Sequence, residues 1–182
     1  MAMLSLELPP QETHRAFNMR RWAELLADRE LARIEGRIET DRHGRIIMSP
    51  PPAPSHGSRQ AAIARWLGNL MPEGRVLSEC PISTADGVKA ADVAWASPER
   101  IRELGDQVCF PQAPEICVEV VSPSNTKAEI KEKAALYFDA GAHEVWLCAP
   151  EDGTMSFLTS PESAPMRASK LCPRFPDQIR LG

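Results

Sequence analysis

The sequence predicts an α/β fold with an N-terminal helix, a β-hairpin and a central strand covered on both faces. Apolar residues recur at helical spacing in three segments, β-type runs alternate with them, and residues 116–121 form a nearly continuous apolar run. Hydrophobic residues make up 43% of the chain and charged residues 25%, a globular composition. A length of 182 residues predicts one domain spanning residues 1–182, with 1–17 and 160–182 peripheral or partly irregular.

The first quarter of the chain is predicted to form a helix and then a hairpin. Helical spacing within residues 19–33 favours a first helix. The residues expected to face inward from it are Trp22, Leu25 and Leu26. Two β-type runs, residues 37–40 and 45–48, flank a turn whose Gly44 tolerates positive φ, as hairpin turns require.

A second helix is expected to begin at Ser55 or Ser58, after a run of prolines. Its apolar residues at i, i+3, i+4 and i+7 are Ile63, Trp66, Leu67 and Leu70. Strands are then predicted at residues 75–80 and 89–96. The following segment, residues 97–112, is expected to hold a short helix and a loop.

The second half is built around residues 116–121, whose apolar run is typical of a strand at the centre of a sheet. A third helix follows, because Thr126 and Glu129 have capping-box spacing and Gly141 is a stop signal. Its core-facing stripe is predicted to be Ile130, Ala134, Tyr137 and Phe138. Two further strands are predicted, at residues 145–148 and 155–158.

The composition and charge of the chain limit the classes of function that it can have. The sequence contains neither a long apolar segment nor a secretory leader, so we expect a cytoplasmic protein without membrane contact. Five widely spaced cysteines without a CxxC pair argue against disulfides or a zinc site. A cysteine enzyme using Cys117 or Cys148 with His143 has little support, because nothing in the sequence brings these residues together. The net charge of −4 does not favour nucleic-acid binding.

Glu119 is the most informative residue, because its carboxylate interrupts a run that otherwise indicates a buried strand. Burying an unpaired charge costs several kcal/mol, so such a group needs a metal ion or a cationic partner. Two other interpretations stay open: a structural pair with an arginine or lysine, and a side chain that faces solvent.

Asp92 is the second acid, and its neighbours at period two are the small residues Ala90, Ala94 and Ala96. If its strand adjoins that of Glu119, two carboxylates can approach one Mg²⁺ or Mn²⁺ ion, which prefers oxygen ligands. Phosphodiester hydrolysis uses such a metal to activate water and to stabilise charge on the phosphate.

A lysine on the third helix is the candidate for a cation near the two acids. Lys133 lies at the edge of the apolar stripe and can reach towards the sheet. Lys131 is the second choice. Either lysine can also be an ordinary solvated surface residue.

With these residues in place, the sequence resembles the Uma-two family of endonucleases within the PD-(D/E)XK superfamily. The likeness is densest in the Glu-Val-x-Ser-Pro-Ser motif of residues 119–124, followed by Lys133 and Tyr137. It also includes residues 44–51 and 91–94, and in total about two thirds of the chain.

The resemblance implies a restriction-endonuclease-like fold, in which a mixed central β-sheet is flanked by helices. Asp92 and Glu119 match the metal-binding acids of the superfamily. Its lysine normally stands two residues after the Glu, where this chain has Val121, so Lys133 would supply the ammonium from the helix instead.

The resemblance also indicates an N-terminal acid. Glu39 matches best and Glu35 is its competitor, although Glu39 can equally pair with a nearby arginine. His56 follows the proline run, where it could face the site, but a histidine at a helix start is more often structural.

The function implied by the family is that of a Mg²⁺- or Mn²⁺-dependent endonuclease acting on nucleic acid, with DNA favoured by analogy. Cutting two strands usually needs two sites, so a homodimer is expected. The alternative is a catalytically silent nuclease-fold protein that binds nucleic acid or regulates, which the acidic charge and Val121 favour. The nuclease hypothesis requires Asp92 and Glu119 to face each other with no arginine filling the gap between them.

Overall fold

The computed structural model describes residues 12–181 and has the predicted α/β fold, a mixed sheet flanked by helices. One short 3-10 helix (Leu31–Arg33) and four α-helices are present in this part of the chain: α1 (His14–Ala27), α2 (Pro54–Leu70), α3 (Pro98–Leu104) and α4 (Lys127–Asp139). The seven strands are β1 (Arg37–Thr40), β2 (Ile46–Ser49), β3 (Arg75–Thr84), β4 (Gly87–Ala96), β5 (Ile116–Val120), β6 (Glu144–Cys148) and β7 (Met155–Leu158). The predicted segment 1–17 lies mostly outside the described residues.

Five strands form the main sheet in the order β3-β4-β5-β6-β7. Strand β5 pairs antiparallel with β4 and parallel with β6, and helix α4 makes the crossover that a parallel pair needs. The prediction that the apolar run forms the centre of the sheet is therefore confirmed. The carboxyl ends of β5 and β6 meet at one edge of the sheet.

The hairpin of β1 and β2 is also confirmed, and Gly44 in its turn has φ +73°. The hairpin is tied to β4 by side chains that replace backbone pairing. The Thr40 hydroxyl accepts the N–H of Val88 at 2.8 Å, and Glu39 Oε1 accepts the N–H of Ala90 at 2.8 Å. Residues of β1 are thereby held against the middle of β4.

The core lies on both faces of the sheet. On one face, α2 and the C-terminal segment cover the sheet, and Phe175 stacks on Trp146 with ring centroids 4.6 Å apart. On the other face, α4 packs with Tyr137 fully buried. Residues 160–181 contain no helix or extended strand, yet Phe175 and Ile179 from this segment are buried in the core.

Two helical faces differ from prediction. Helix α1 begins earlier than expected, because Thr13 caps it by accepting the N–H of Ala16 at 3.2 Å. Trp22 and Leu25 are buried as predicted, but Leu26 is 60% exposed, because it points about 100° away from Leu25 around the helix. Trp66 of α2 is likewise partly exposed rather than core.

Helix α4 follows its prediction closely. Its capping box is present: Thr126 Oγ1 accepts the N–H of Glu129, and Glu129 Oε2 accepts that of Thr126. Gly141 follows its end with φ +104°. Of the helices within residues 12–181, none is long and apolar enough to cross a membrane.

Candidate active site

Asp92 and Glu119 lie on neighbouring strands at adjoining positions. Strands β4 and β5 are antiparallel, and the last residue pair in their register is Val93 with Val118. The next position would set Asp92 opposite Glu119, where antiparallel side chains share a face about 5 Å apart. The ladder ends here, and Asp92 Oδ2 instead accepts the N–H of Val120 at 2.6 Å. The structure therefore brings the two predicted acids together.

Both acids line a groove of about 930 Å³ at the carboxyl end of β5. Its walls are the proline segment, residues 50–52, and the loop of residues 122–125. The preferred site residues line this groove, and so do the competitor Glu35 and His56; the preferred residues are Asp92, Glu119, Lys133 and Glu39.

Lys133 connects the acids of the groove. Its Nζ lies 3.1 Å from Glu119 Oε2 and 3.0 Å from Glu39 Oε1, and it donates to the Ala90 carbonyl at 3.2 Å. Burial opposes the charge of Lys133, but Glu119 and Glu39 outweigh it and raise its pKa. Lys131, the second choice, is exposed.

Glu119 is held by two donors. Besides Lys133, the Tyr137 hydroxyl donates to Glu119 Oε1 at 2.7 Å. Burial raises the pKa of Glu119 to about 7, with Lys133 acting to lower it and Asp92 to raise it. Sequence reasoning placed Tyr137 in the core stripe and in the family motif but gave it no role in the site. The Tyr137 hydroxyl follows Lys133 by one helical turn, and this spacing was the available signal that Tyr137 also belongs to the site.

Asp92 is 1% exposed and is contacted by residues from two other elements. Arg37 Nη2 of β1 donates to Asp92 Oδ1, and His56 Nε2 of α2 lies 3.3 Å from the same oxygen. Burial acts to raise the pKa of Asp92, but the His56 hydrogen bond and the Arg37 charge outweigh it, so that this pKa is lowered.

Arg37 is a site residue that sequence reasoning missed. It also donates to Glu79 Oε2 at 2.7 Å, and burial of its charge is outweighed by Asp92 and Glu119, which keep its pKa raised. Within residues 12–181, Arg37 makes no hydrogen bond to Glu119. An arginine thus contacts one oxygen of Asp92 without bridging the two acids. The nuclease hypothesis required that no arginine fill the gap between these acids, and this requirement is met only in part.

The backbone beside Asp92 is irregular. Glu79, in the position of β3 that faces Asp92, has φ +50°, the one positive value among the non-glycine residues described. Gln60 Nε2 takes the place of a ladder bond by donating to the Asp92 carbonyl at 2.8 Å, and it also contacts Glu79 Oε1 at 2.9 Å. Such strain persists only where neighbours hold it, and it is often found at functional sites.

The cysteine hypothesis gains no support. Burial raises the pKa of the Cys117 thiol well above its usual value and that of Cys148 to about 11, which favours the unreactive protonated form. His143 is exposed, and no hydrogen bond joins it to either thiol within the described residues.

The oxygen donors of the groove determine whether it can hold a divalent cation. Among residues 12–181, no three His, Cys, Asp or Glu side chains are grouped as a metal site. Mg²⁺, however, usually uses only one or two carboxylates and completes its shell with water and substrate oxygens. Asp92 and Glu119 provide such a pair. Burial first, and then the charge of Asp92, raise the pKa of Glu119, and a bound cation would favour its ionised form. The donors fit, provided that the cation takes Asp92 Oδ1 from Arg37.

Comparison with known proteins identifies a family and a solved structure of similar fold. The model of the family Uma2, described as "Putative restriction endonuclease", matches residues 23–180. A solved structure from Anabaena variabilis ATCC 29413, described as "a putative nuclease belonging to DUF820", is similar with a TM-score of 0.65 and 21% identity. The match covers 88% of this chain and 93% of that chain, and at this identity it shows a shared fold. No curated protein matches the chain.

Proposed function

The chain belongs to the Uma2 family of restriction-endonuclease-like nucleases, and from this premise we propose that it is a metal-dependent endonuclease that hydrolyses phosphodiester bonds in DNA. One observation carries the proposal: Asp92 and Glu119 adjoin on paired strands, and Lys133 lies 3.1 Å from Glu119. Two acids and a cation at one point of a groove suit phosphodiester hydrolysis.

Asp92 and Glu119 are the proposed ligands of Mg²⁺ or Mn²⁺. When bound, the ion would lower the pKa of a coordinated water and neutralise charge on the phosphate. The chain's own part is to orient both carboxylates. The N–H of Val120 fixes one oxygen of Asp92, and the Tyr137 hydroxyl fixes one oxygen of Glu119.

Lys133 is proposed as the cation that contacts the phosphate or orients the attacking water. Its raised pKa keeps it protonated, so it acts as a hydrogen-bond donor and a positive charge rather than as a base. Glu39 also contacts the ammonium, at 3.0 Å, and is proposed as a positioning residue. This arrangement compensates for Val121 at the position where the superfamily carries its lysine.

A second candidate is a nuclease-fold protein that binds nucleic acid or regulates without cutting. The contact of Arg37 with Asp92 Oδ1 favours it, because this arginine already neutralises a proposed metal ligand. Calorimetric titration with Mn²⁺ separates the two candidates, since an acid pair without metal affinity cannot support metal-dependent hydrolysis.

The decisive assay incubates supercoiled plasmid, single-stranded DNA and RNA with the protein in Mg²⁺, Mn²⁺ or EDTA. Cutting is expected with metal and not with EDTA, and it should be lost in Glu119→Ala. Glu132→Ala is the matched control, since Glu132 is an exposed acid of α4 outside the groove. Equal cutting by wild type and Glu119→Ala would point to contamination or another site.

We also propose that the chain acts as a symmetric homodimer, because cutting both strands of a duplex usually requires two sites. Light scattering of the purified protein measures this directly. A monomer that nicks plasmid without linearising it would restrict the proposal to single-strand cutting.

A further inference from the structure

Arg59 is a buried arginine whose guanidinium is incompletely bonded within the described residues. Its residue exposure is 8%, and its one hydrogen bond within residues 12–181 joins Nη1 to the Pro150 carbonyl at 2.5 Å. The Nε atom is buried with no hydrogen-bond partner, and the side chain forms no ion pair with any described carboxylate. Keeping a guanidinium desolvated and incompletely bonded costs free energy, so the arrangement calls for a ligand.

Arg59 lines the same groove as the proposed catalytic acids. The other lysine and arginine side chains of the groove are engaged: Arg37 pairs with Asp92 and Glu79, and Lys133 pairs with Glu119 and Glu39. Of the described groove cations of these two types, Arg59 alone has its charge available to an incoming anion.

Arg100 offers a contrast on the same chain. It is also buried with one nitrogen, Nη1, lacking a hydrogen-bond partner. Its guanidinium, however, lies 3.8 Å from Glu115 and 3.7 Å from Glu103, and it does not line the groove. Burial and an unpartnered nitrogen therefore have a structural explanation at Arg100 that is missing at Arg59.

The surroundings of Arg59 favour an anion. Arg59 lies in the second turn of α2, and Ser55, one turn earlier at i−4, lines the groove too. Long side chains of a helix lean towards its N-terminus, where the unpaired backbone N–H groups carry partial positive charge. The arginine and the first turn of α2 therefore both favour the binding of an anion.

Arg59 is separated from the acids along the groove. In the register of β5 and β6, Glu119 faces Leu147, and Pro150 comes three residues later. Strand β6 ends at Cys148, so Pro150 and the Arg59 nitrogen that contacts it lie beyond the part of β6 that faces Glu119. A phosphate held beside Pro150 is therefore not the one that contacts Glu119.

We propose that Arg59 binds a backbone phosphate of the nucleic-acid strand, flanking the phosphate that is cut. This inference rests on the proposed function and adds a positioning residue to it.

The test measures binding of a fluorescein-labelled single-stranded 20-mer in EDTA by anisotropy, over a range of salt concentrations. Arg59→Gln should bind roughly tenfold more weakly at low salt, as expected for loss of a charged hydrogen bond. Its slope of log K against log salt should fall by about 0.7, the value for one phosphate contact on a single strand. Arg59→Lys keeps the charge and should keep the wild-type slope.

Arg100→Gln is the matched control and should leave the slope unchanged, with thermal unfolding run on every variant. An Arg59→Gln slope equal to wild type, or an Arg59→Lys slope as low as that of Arg59→Gln, overturns the inference. Absence of wild-type binding at any salt also overturns it. Metal-dependent cutting in the plasmid assay decides the proposed function separately, because that assay uses wild type and Glu119→Ala.

Discussion

Arg37 donates a hydrogen bond to Asp92 Oδ1 although the two residues are 55 positions apart and lie on different β-structures. The Asp92 side chain is 1% exposed, so its charge depends on this arginine, on His56 and on the N–H of Val120. A metal ion at Asp92 would compete with Arg37 for the same oxygen. Glu79, which also pairs with Arg37, could retain the guanidinium when Asp92 is released.

Arg37→Gln is therefore expected to bind Mn²⁺ more tightly than wild type. The substitution removes a positive charge that competes with the ion, and we expect a gain of roughly tenfold, about 1.4 kcal/mol. Calorimetric titration with Mn²⁺ measures this change in affinity. Arg42→Gln, which removes an exposed arginine paired with Asp86, should leave the affinity unchanged.

The same variant should be less stable than wild type in EDTA, because a buried carboxylate loses a cationic partner. Added Mn²⁺ should restore its melting temperature. Weaker Mn²⁺ binding by Arg37→Gln than by wild type would contradict the competition and would favour a non-catalytic role for the Asp92 carboxylate.

Lys133→Met should lower DNA cleavage by about 100-fold or more, the usual cost of removing a positioned charge that stabilises a transition state. The structural reason is that Lys133 contacts both Glu119 and Glu39. Initial rates on plasmid measure the effect. Lys131→Met is the control, because Lys131 is an exposed lysine on the same helix. Equal losses of cleavage rate in both variants would mean that the overall positive charge of α4, and not the contacts of Lys133, supports cleavage.

The two central acids could be predicted because their signals are local. A carboxylate inside the apolar run of β5 is conspicuous, and small neighbours mark Asp92 on β4. The strand register then sets them side by side without help from distant parts of the chain. Lys133 could be predicted for a similar reason, since a helix that follows β5 fixes which residues face the sheet.

The partners of Asp92 could not be predicted, because they depend on tertiary packing. Arg37 was one of many arginines in a mixed-charge segment, and only the docking of the hairpin against β4 brings it to Asp92. Gln60 and Glu79 respond to an interruption of the β3–β4 ladder that has no sequence signature. Helical periodicity also gave a wrong prediction for Leu26, which was expected to face inward. Periodicity identifies the apolar face of a helix, but not how much of that face the neighbouring elements cover.

Stability should depend on pH through Glu119. Its folded pKa of about 7 lies above the ordinary value of 4.5, so the folded chain binds this proton more tightly than the unfolded chain does. The resulting stabilisation is complete below about pH 4.5 and is lost as pH rises through 7. Wild type should therefore lose stability relative to Glu119→Gln over this interval, by on the order of 2–3 kcal/mol.

Urea unfolding of both proteins in EDTA, at intervals from pH 4.5 to 8, measures this difference. Asp92, whose lowered pKa acts in the opposite direction, is present in both proteins. A difference that stays constant with pH, or one that moves in favour of wild type as pH rises, is inconsistent with a raised pKa at Glu119.

Glu144 is a buried acid that we expect to serve stability and not catalysis. It is 1% exposed and lies outside the groove. Its carboxylate accepts bonds from the Trp146 indole, the Ser169 hydroxyl and the N–H groups of residues 170 and 171. These donors fasten the irregular C-terminal segment to the start of β6.

Glu144→Gln should lower the free energy of unfolding by about 3 kcal/mol. The new amide NH₂ would face an indole or backbone N–H group, which can only donate, and a buried charge-assisted network would be lost. Mn²⁺ affinity and cleavage per folded molecule should remain as in wild type. Glu162→Gln is the control, since Glu162 is an exposed acid of the same C-terminal segment. Loss of Mn²⁺ binding in folded Glu144→Gln would mean that the acids of the groove are not sufficient for the metal, and that the proposed ligand pair of Asp92 and Glu119 is incomplete.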